Sequence, residues 1–244
     1  MLRNLFRFDT WFSVGVRRKP EGWLYYAVTT WGAAIAAFVI YAAIYFLDPW
    51  RLTATFLCAM LTLVFLIVGP SPRSDPVKPA IIDWILSAIS VATLVYSSLN
   101  WDKVSNRIQL MEDLTTPELM FGSALFLLSL EATRRTTGFG LTSVVLLFIA
   151  YNFWGHNFEG ILNHGYIDYN HFIDIMIFGL DGILGLPIRV AASYAFLFVL
   201  FGAVLHKAKG GEFFFDLAAS ISGKQVGGVA KIAVVSSGLY GMVS

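Results

Sequence analysis

The run Ser236-Ser237-Gly238-Leu239-Tyr240-Gly241-Met242-Val243-Ser244 closes the sequence with small and hydroxyl-bearing residues. Hydrocarbon cannot hydrogen-bond to loosened backbone or to serine, so at membrane depth such a run lines something. Serine hydroxyls and freed carbonyls supply oxygen for a hard cation, and glycine lets the backbone turn. Gly241 and Ser244 are therefore the first candidates for an ion or substrate site, with Ser236, Ser237 and Gly238 behind them. Small residues also let helices pack closely, and the residues alone leave both readings open. The apolar segment carries no stop signal, so the sequence reads as the N-terminal part of a longer membrane protein.

Other clusters carry weaker chemistry. His156, His164 and His171 lie near Asp168, Asp174 and Asp181, but no His-x-x-x-His or cysteine pair suggests a metal. His171, Asp174 and Asp181 share one face of a helix, which predicts an amphipathic helix lying in the interface. Glu131, Arg134 and Arg135 read as a surface ion pair at a helix C-terminus. Asp83 and Arg189 sit near helix starts, close enough to the ends to snorkel. Gly179, Gly182 and Gly185 follow no strand, so they mark a helix end and a turn rather than a phosphate loop. Cys58 reads as a small buried apolar residue. No Ser/His, paired-Asp or His-Glu-x-x-His arrangement lies within the apolar runs, so no enzyme is expected.

The elements that must position these residues follow from composition. The chain has 244 residues, 57% of them hydrophobic and 14% charged, against about 25% charged in soluble domains. Several uncharged runs approach the roughly 20 residues that cross a bilayer as a helix. The fold class is all-α and polytopic, with about six transmembrane helices, interfacial helices and the first arm of a re-entrant hairpin. The helices are expected at 23–47, 52–69, 80–99, 117–135, 141–154 and 187–205. Asp48-Pro49-Trp50-Arg51 reads as a tight turn, the proline-rich stretch 69–79 as a solvent loop, and Gly138 and Gly140 as chain breaks. Residues 1–22 form a basic, aromatic lead-in with Arg3, Arg7, Arg17, Arg18 and Lys19. Glu212, Asp216 and Ser220 make a polar stripe on a short helix capped by Gly223. A last apolar segment begins near Val226.

With the N-terminus inside, twelve Lys and Arg fall on inner loops and four on outer ones. That bias predicts a cytoplasmic N-terminus, with 155–186 outside.

Residues 187–244 resemble the start of the large permease subunit of TRAP transporters. The stretches that carry this are Phe196 to Ala203, Gly210-Gly211-Glu212-Phe213-Phe214-Phe215-Asp216-Leu217-Ala218, Gly227 to Ser237, and Gly241-Met242-Val243-Ser244. In that family a G-G-x-A run opens a re-entrant hairpin, matched here by Gly227-Gly228-Val229-Ala230. A G-x-x-S-G-S-[AS] motif forms its tip, and Gly241-x-x-Ser244 is the part present here. The first four helices resemble the small four-helix subunit. Glu131 to Gly138, the next helix and the aromatic outer loop resemble fused permeases of the TAXI branch. The resemblance implies a four-helix module over 1–138, a connector helix over 139–158, and the start of a large-subunit transport module over 159–244.

It also implies a function: a permease component of an ion-coupled secondary transporter in the bacterial inner membrane, importing small organic acids such as carboxylates or amino acids. Its partner would be a periplasmic substrate-binding protein of the TAXI type, its coupling ion Na+ or H+, with no other cofactor. The alternative is a membrane scaffold or assembly subunit without a transport site. The 244 residues alone are expected not to transport.

Overall fold

Several helix starts in this chain are set by side chains that answer backbone N–H groups. The computed structural model describes residues 14–222 and 227–242. The lead-in up to Phe12, Gly223, Lys224, Val226 and Ser244 lie outside the described residues. After α1 (Trp23–Tyr45), the Asp48 carboxylate accepts from the N–H groups of Trp50 at 3.0 Å and Arg51 at 3.1 Å. With Pro49 in the first helical position, α2 (Pro49–Ile67) begins where a tight turn was expected. The loop 69–79 leads to α3 (Ile81–Ser105), which runs on past Leu99. In α4 (Thr116–Thr137), Glu118 accepts from the Thr115 N–H at 2.7 Å, and the helix stops at Gly138, φ 84°. Gly138 is the break; Gly140 lies inside the first turn of α5 (Phe139–Trp154).

Short α6 (Tyr169–Ile173) continues as a π-helical turn, Asp174–Phe178. Then α7 (Leu186–Lys207) contains a π turn at Ala191–Ala195, followed by α8 (Gly210–Ser222) and α9 (Gly228–Gly241). Among the described residues, the only extended pairing is an isolated bridge between Arg17 and Val68. All six long helices form. Five of them, α1, α2, α3, α5 and α7, are long and apolar enough to cross a bilayer; α4 carries Glu118, Glu131, Arg134 and Arg135. The chain forms two compact units, one up to Arg189 and one from Val190.

The core of the first unit lies on α2. Trp50, Ala54, Cys58, Leu61 and Phe65 are buried at helical spacing along one face. Phe121, Leu125, Leu128 and Ala132 do the same on α4. On α3 the buried face is instead Ser87, Ser90, Thr93 and Ser97. Ser90, Thr93 and Ser97 donate to carbonyls of their own helix at 2.8–2.9 Å. Small side chains with satisfied hydroxyls allow close approach where lipid supplies no hydrophobic drive between helices.

One end of this unit is tied by ions. Asp83 is fully buried and bridges Arg18 and Arg135, each at 2.6 Å. Its Oδ2 also accepts from the Ala80 N–H at 2.9 Å. Arg18 further donates to the carbonyls of Phe65, Leu66 and Asp75, and its backbone N–H donates to the Ile67 carbonyl at 2.7 Å. It thus answers the orphan carbonyls that end α2. Arg135 reaches Glu131 at 2.7 Å and the Val68 carbonyl at 3.1 Å; Arg134 also pairs with Glu131, at 2.8 Å. Two expectations are corrected here. Asp83 does not snorkel, and Arg135, though it pairs with partly exposed Glu131 as its spacing predicts, is itself buried, because Asp83 neutralises it inside the protein.

The opposite end closes over aromatic rings. Trp50 stacks on Phe178 at 6.3 Å and donates from Nε1 to the Ile177 carbonyl at 3.1 Å. Residues 159–189, grouped by sequence with the transport module, here pack on the helices before them: Gly122 on α4 lies so close to Ile173 that a Cβ would overlap it.

Asp83→Asn would leave two guanidiniums buried without full compensation, which should cost about 3–5 kcal/mol. A thermal melt in detergent reads this as a clear fall in Tm. Gly122→Leu should overpack the α4–α6 contact by about 1–3 kcal/mol. It should raise protease sensitivity around 169–178 while leaving the Asp83 end unchanged.

Candidate functional site

The second unit holds the sequence-predicted site residues. Its α8 and α9 pack as a helical hairpin, with Phe214 against Tyr240 at 6.2 Å and Ala218 fully buried. Gly227 precedes α9 with φ 74°, a left-handed turn that glycine adopts without strain. The 14 described residues of α9 extend about 21 Å at 1.5 Å each.

Ser236, Ser237 and Gly238 lie within α9, in continuous helix rather than at a break. The described helix runs to Gly241, and Met242 keeps helical dihedrals with its N–H bonded to the Gly238 carbonyl, the ordinary helical partner four residues back. Ser237 and Gly241 are one turn apart on one face. A Cβ at Gly238 or Gly241 would meet no neighbour within 4 Å among the described residues. The last described turn of α9 therefore presents small residues at Gly238 and Gly241. Ser244, the other leading candidate, lies outside the described residues. At the base of the hairpin a groove of about 310 Å³ is lined by Ser222, Ala230, Lys231, Val234 and Val235. On α8, Glu212 pairs with Lys209 at 3.1 Å on the exposed surface.

In the first unit the acidic outer segment differs from expectation. Asp174 is buried; its carboxylate accepts from Arg107 Nη1 at 2.6 Å, from Nη2 at 3.1 Å, and from the Leu110 N–H at 2.9 Å. Leu110 takes φ 63° to make that contact. His171 and Asp181 are exposed, and the helical turn ends at Phe178 before Asp181. The three residues therefore share no face. The segment is docked on α4 and on the 106–114 loop. A pocket of about 120 Å³ beside it is lined by Arg107, Glu112, Asp113, Asp168, Asn170, His171 and Asp174. Among the described residues, no group of three His, Cys, Asp or Glu side chains gathers at metal-binding distance.

Gly179, Gly182 and Gly185 form the turn between Phe178 and α7. A Cβ on Gly182 would overlap the Met176 carbonyl. Cys58 is fully buried in the α2 core.

Sequence reasoning missed Arg18 and Arg107. Both were counted only as loop charges. The available signal was topological: Arg18 lies on the same predicted side as Asp83, and Arg107 on the same predicted side as Asp174.

Residues 124–244 match the family model described as Tripartite ATP-independent periplasmic transporter, DctM component. No curated protein and no solved structure matches the chain. The matched stretch opens inside α4 and takes in α5 to α9. Just under half of the chain is thus similar to a TRAP transporter permease component, a transport family rather than an enzyme family, and with five helices able to cross a bilayer the protein is a multi-pass membrane protein.

Proposed function

We propose that the chain is a permease component of a TRAP-type secondary transporter of the TAXI branch, with a small four-helix module fused ahead of the large-subunit region. The observation that carries this is the family match over 124–244, joined by the Gly227-Gly228 start of α9. A periplasmic substrate-binding protein of the TAXI type delivers a small organic acid, a carboxylate or amino acid, from outside. The large-subunit region carries it across the bacterial inner membrane, driven by Na+ or H+.

The coupling cation sits at the C-terminal end of α9. Transporters use half-helix C-termini and unwound carbonyls in this way. Gly241 and Ser244 supply the closest groups, with Ser236, Ser237 and Gly238 behind. Binding drives the cycle only through different affinities in the outward and inward states.

The N-terminus is cytoplasmic. The charge bias supports this. The segment holding Arg18, the end of α2, the start of α3 and the end of α4 meet at Asp83, so they share one side, and the charge bias makes that side the inner one. A second reading, a scaffold without a transport site, draws on the unbroken helix through Ser236–Gly238.

In the full-length protein reconstituted with its binding protein, Ser237→Ala and Ser244→Ala should each raise the sodium concentration for half-maximal uptake. Each lost oxygen contact is worth about 1 kcal/mol, several-fold in affinity, and Gly241→Val should abolish uptake. If the coupling ion is H+, the shift appears in the pH profile of uptake instead. Uptake unchanged in all three variants, across sodium and pH, favours the scaffold. Orientation is checked with single cysteines. Phe158→Cys should react with a membrane-impermeant maleimide on intact cells, and Arg73→Cys only after permeabilisation.

A further inference from the structure

The loop that leaves α5 is held by one histidine whose two nitrogens both face carbonyl oxygens. His164 Nδ1 lies 2.7 Å from the Gly165 carbonyl, and Nε2 lies 3.0 Å from the Tyr151 carbonyl in the last turn of α5. A carbonyl only accepts. Neutral imidazole carries one N–H, so it satisfies one contact and sets its lone pair against the other oxygen. Imidazolium satisfies both. The site is shaped for this ring: a Cβ on Gly155 would overlap it, and the Tyr151 ring meets it edge-on at 5.1 Å. The end of a helix also favours a cation.

The surrounding loop is pinned at the same place. The Tyr151 hydroxyl donates to the Leu162 carbonyl at 2.8 Å, and Asn163 Nδ2 donates to the carbonyls of His156 at 3.0 Å and Phe158 at 2.8 Å. The titratable groups on the packed elements are the Tyr151 phenol on α5, His156 on the turn after it, and Glu159 and Tyr166 along the loop. His156 stacks edge-on against Tyr166 at 5.1 Å. Among the described residues His164 forms no ion pair with a carboxylate.

We propose that His164 is a proton-operated latch: as imidazolium it ties the 155–166 loop to the end of α5, and as neutral imidazole it lets that loop open. The Gly165 and Tyr151 carbonyls hold its proton above the ordinary value of 6.5. A raised folded value places the tie fully on below 6.5, and the tie is lost as pH rises through the folded value. This is independent of the transport reading, because it concerns only the first unit.

The test is hydrogen exchange of residues 155–166 in the intact chain in lipid nanodiscs, at pH 5.5 and 8.5, corrected for intrinsic rates. Losing one hydrogen bond should speed exchange there by about three- to tenfold at the higher pH. His164→Gln should exchange fast at both values, whereas His156→Gln should keep the wild-type dependence. A wild-type loop without pH dependence overturns the latch, as does dependence that survives His164→Gln or vanishes in His156→Gln. Ring-labelled NMR of the unaltered protein gives a second reading: titration of His164 at or below 6.5 also overturns it.

Discussion

A carboxylate with no access to water must be matched by cations at bonding distance, and Asp83 organises one end of the first unit on that basis. Its two oxygens meet two guanidiniums from segments far apart in sequence. Each guanidinium then spends its remaining N–H groups on carbonyls that would otherwise be orphaned at or just beyond the end of α2. The pre-α1 segment, α2, α3 and α4 therefore close together. Any one of the three charges alone would be strongly unfavourable in that place, so the arrangement forms as a unit.

The opposite end obeys the same rule with different groups. Arg107 and Asp174 pair under Phe178, and Trp50 spends its indole N–H on the Ile177 carbonyl. Between the two ends, the Ser/Thr face of α3 sits against α2 with its hydroxyls turned to its own backbone. Polar contacts thus tie the ends, and close packing of small side chains fills the middle. This suits helices whose other faces meet lipid as apolar as themselves.

The second unit is built on shorter helices. Its hairpin ends in small residues with open space beside them. The family match takes in the whole of this hairpin.

All six long helices were legible in the sequence, since apolar length and proline and glycine stops are local properties. Gly138, the 69–79 loop and the turn at Gly179–Gly185 were read from residue type alone, and the start of α9 at Gly227-Gly228 from the family resemblance. The helix that begins at Asp48, the burial of Asp83 and Arg135, and the docking of Asp174 were not. Each depends on which distant group arrives to satisfy a charge or a backbone N–H. Arg18 is indistinguishable from Arg17 in sequence, yet one is buried and the other exposed. For the site, the sequence named the small residues at 236–241 but not that most of them lie in regular helix. What the sequence determined by itself is where hydrocarbon is tolerated, because that is set by side-chain composition over a window. What only the tertiary structure decided is which charges are paired, because pairing is a long-range distance that no local pattern encodes.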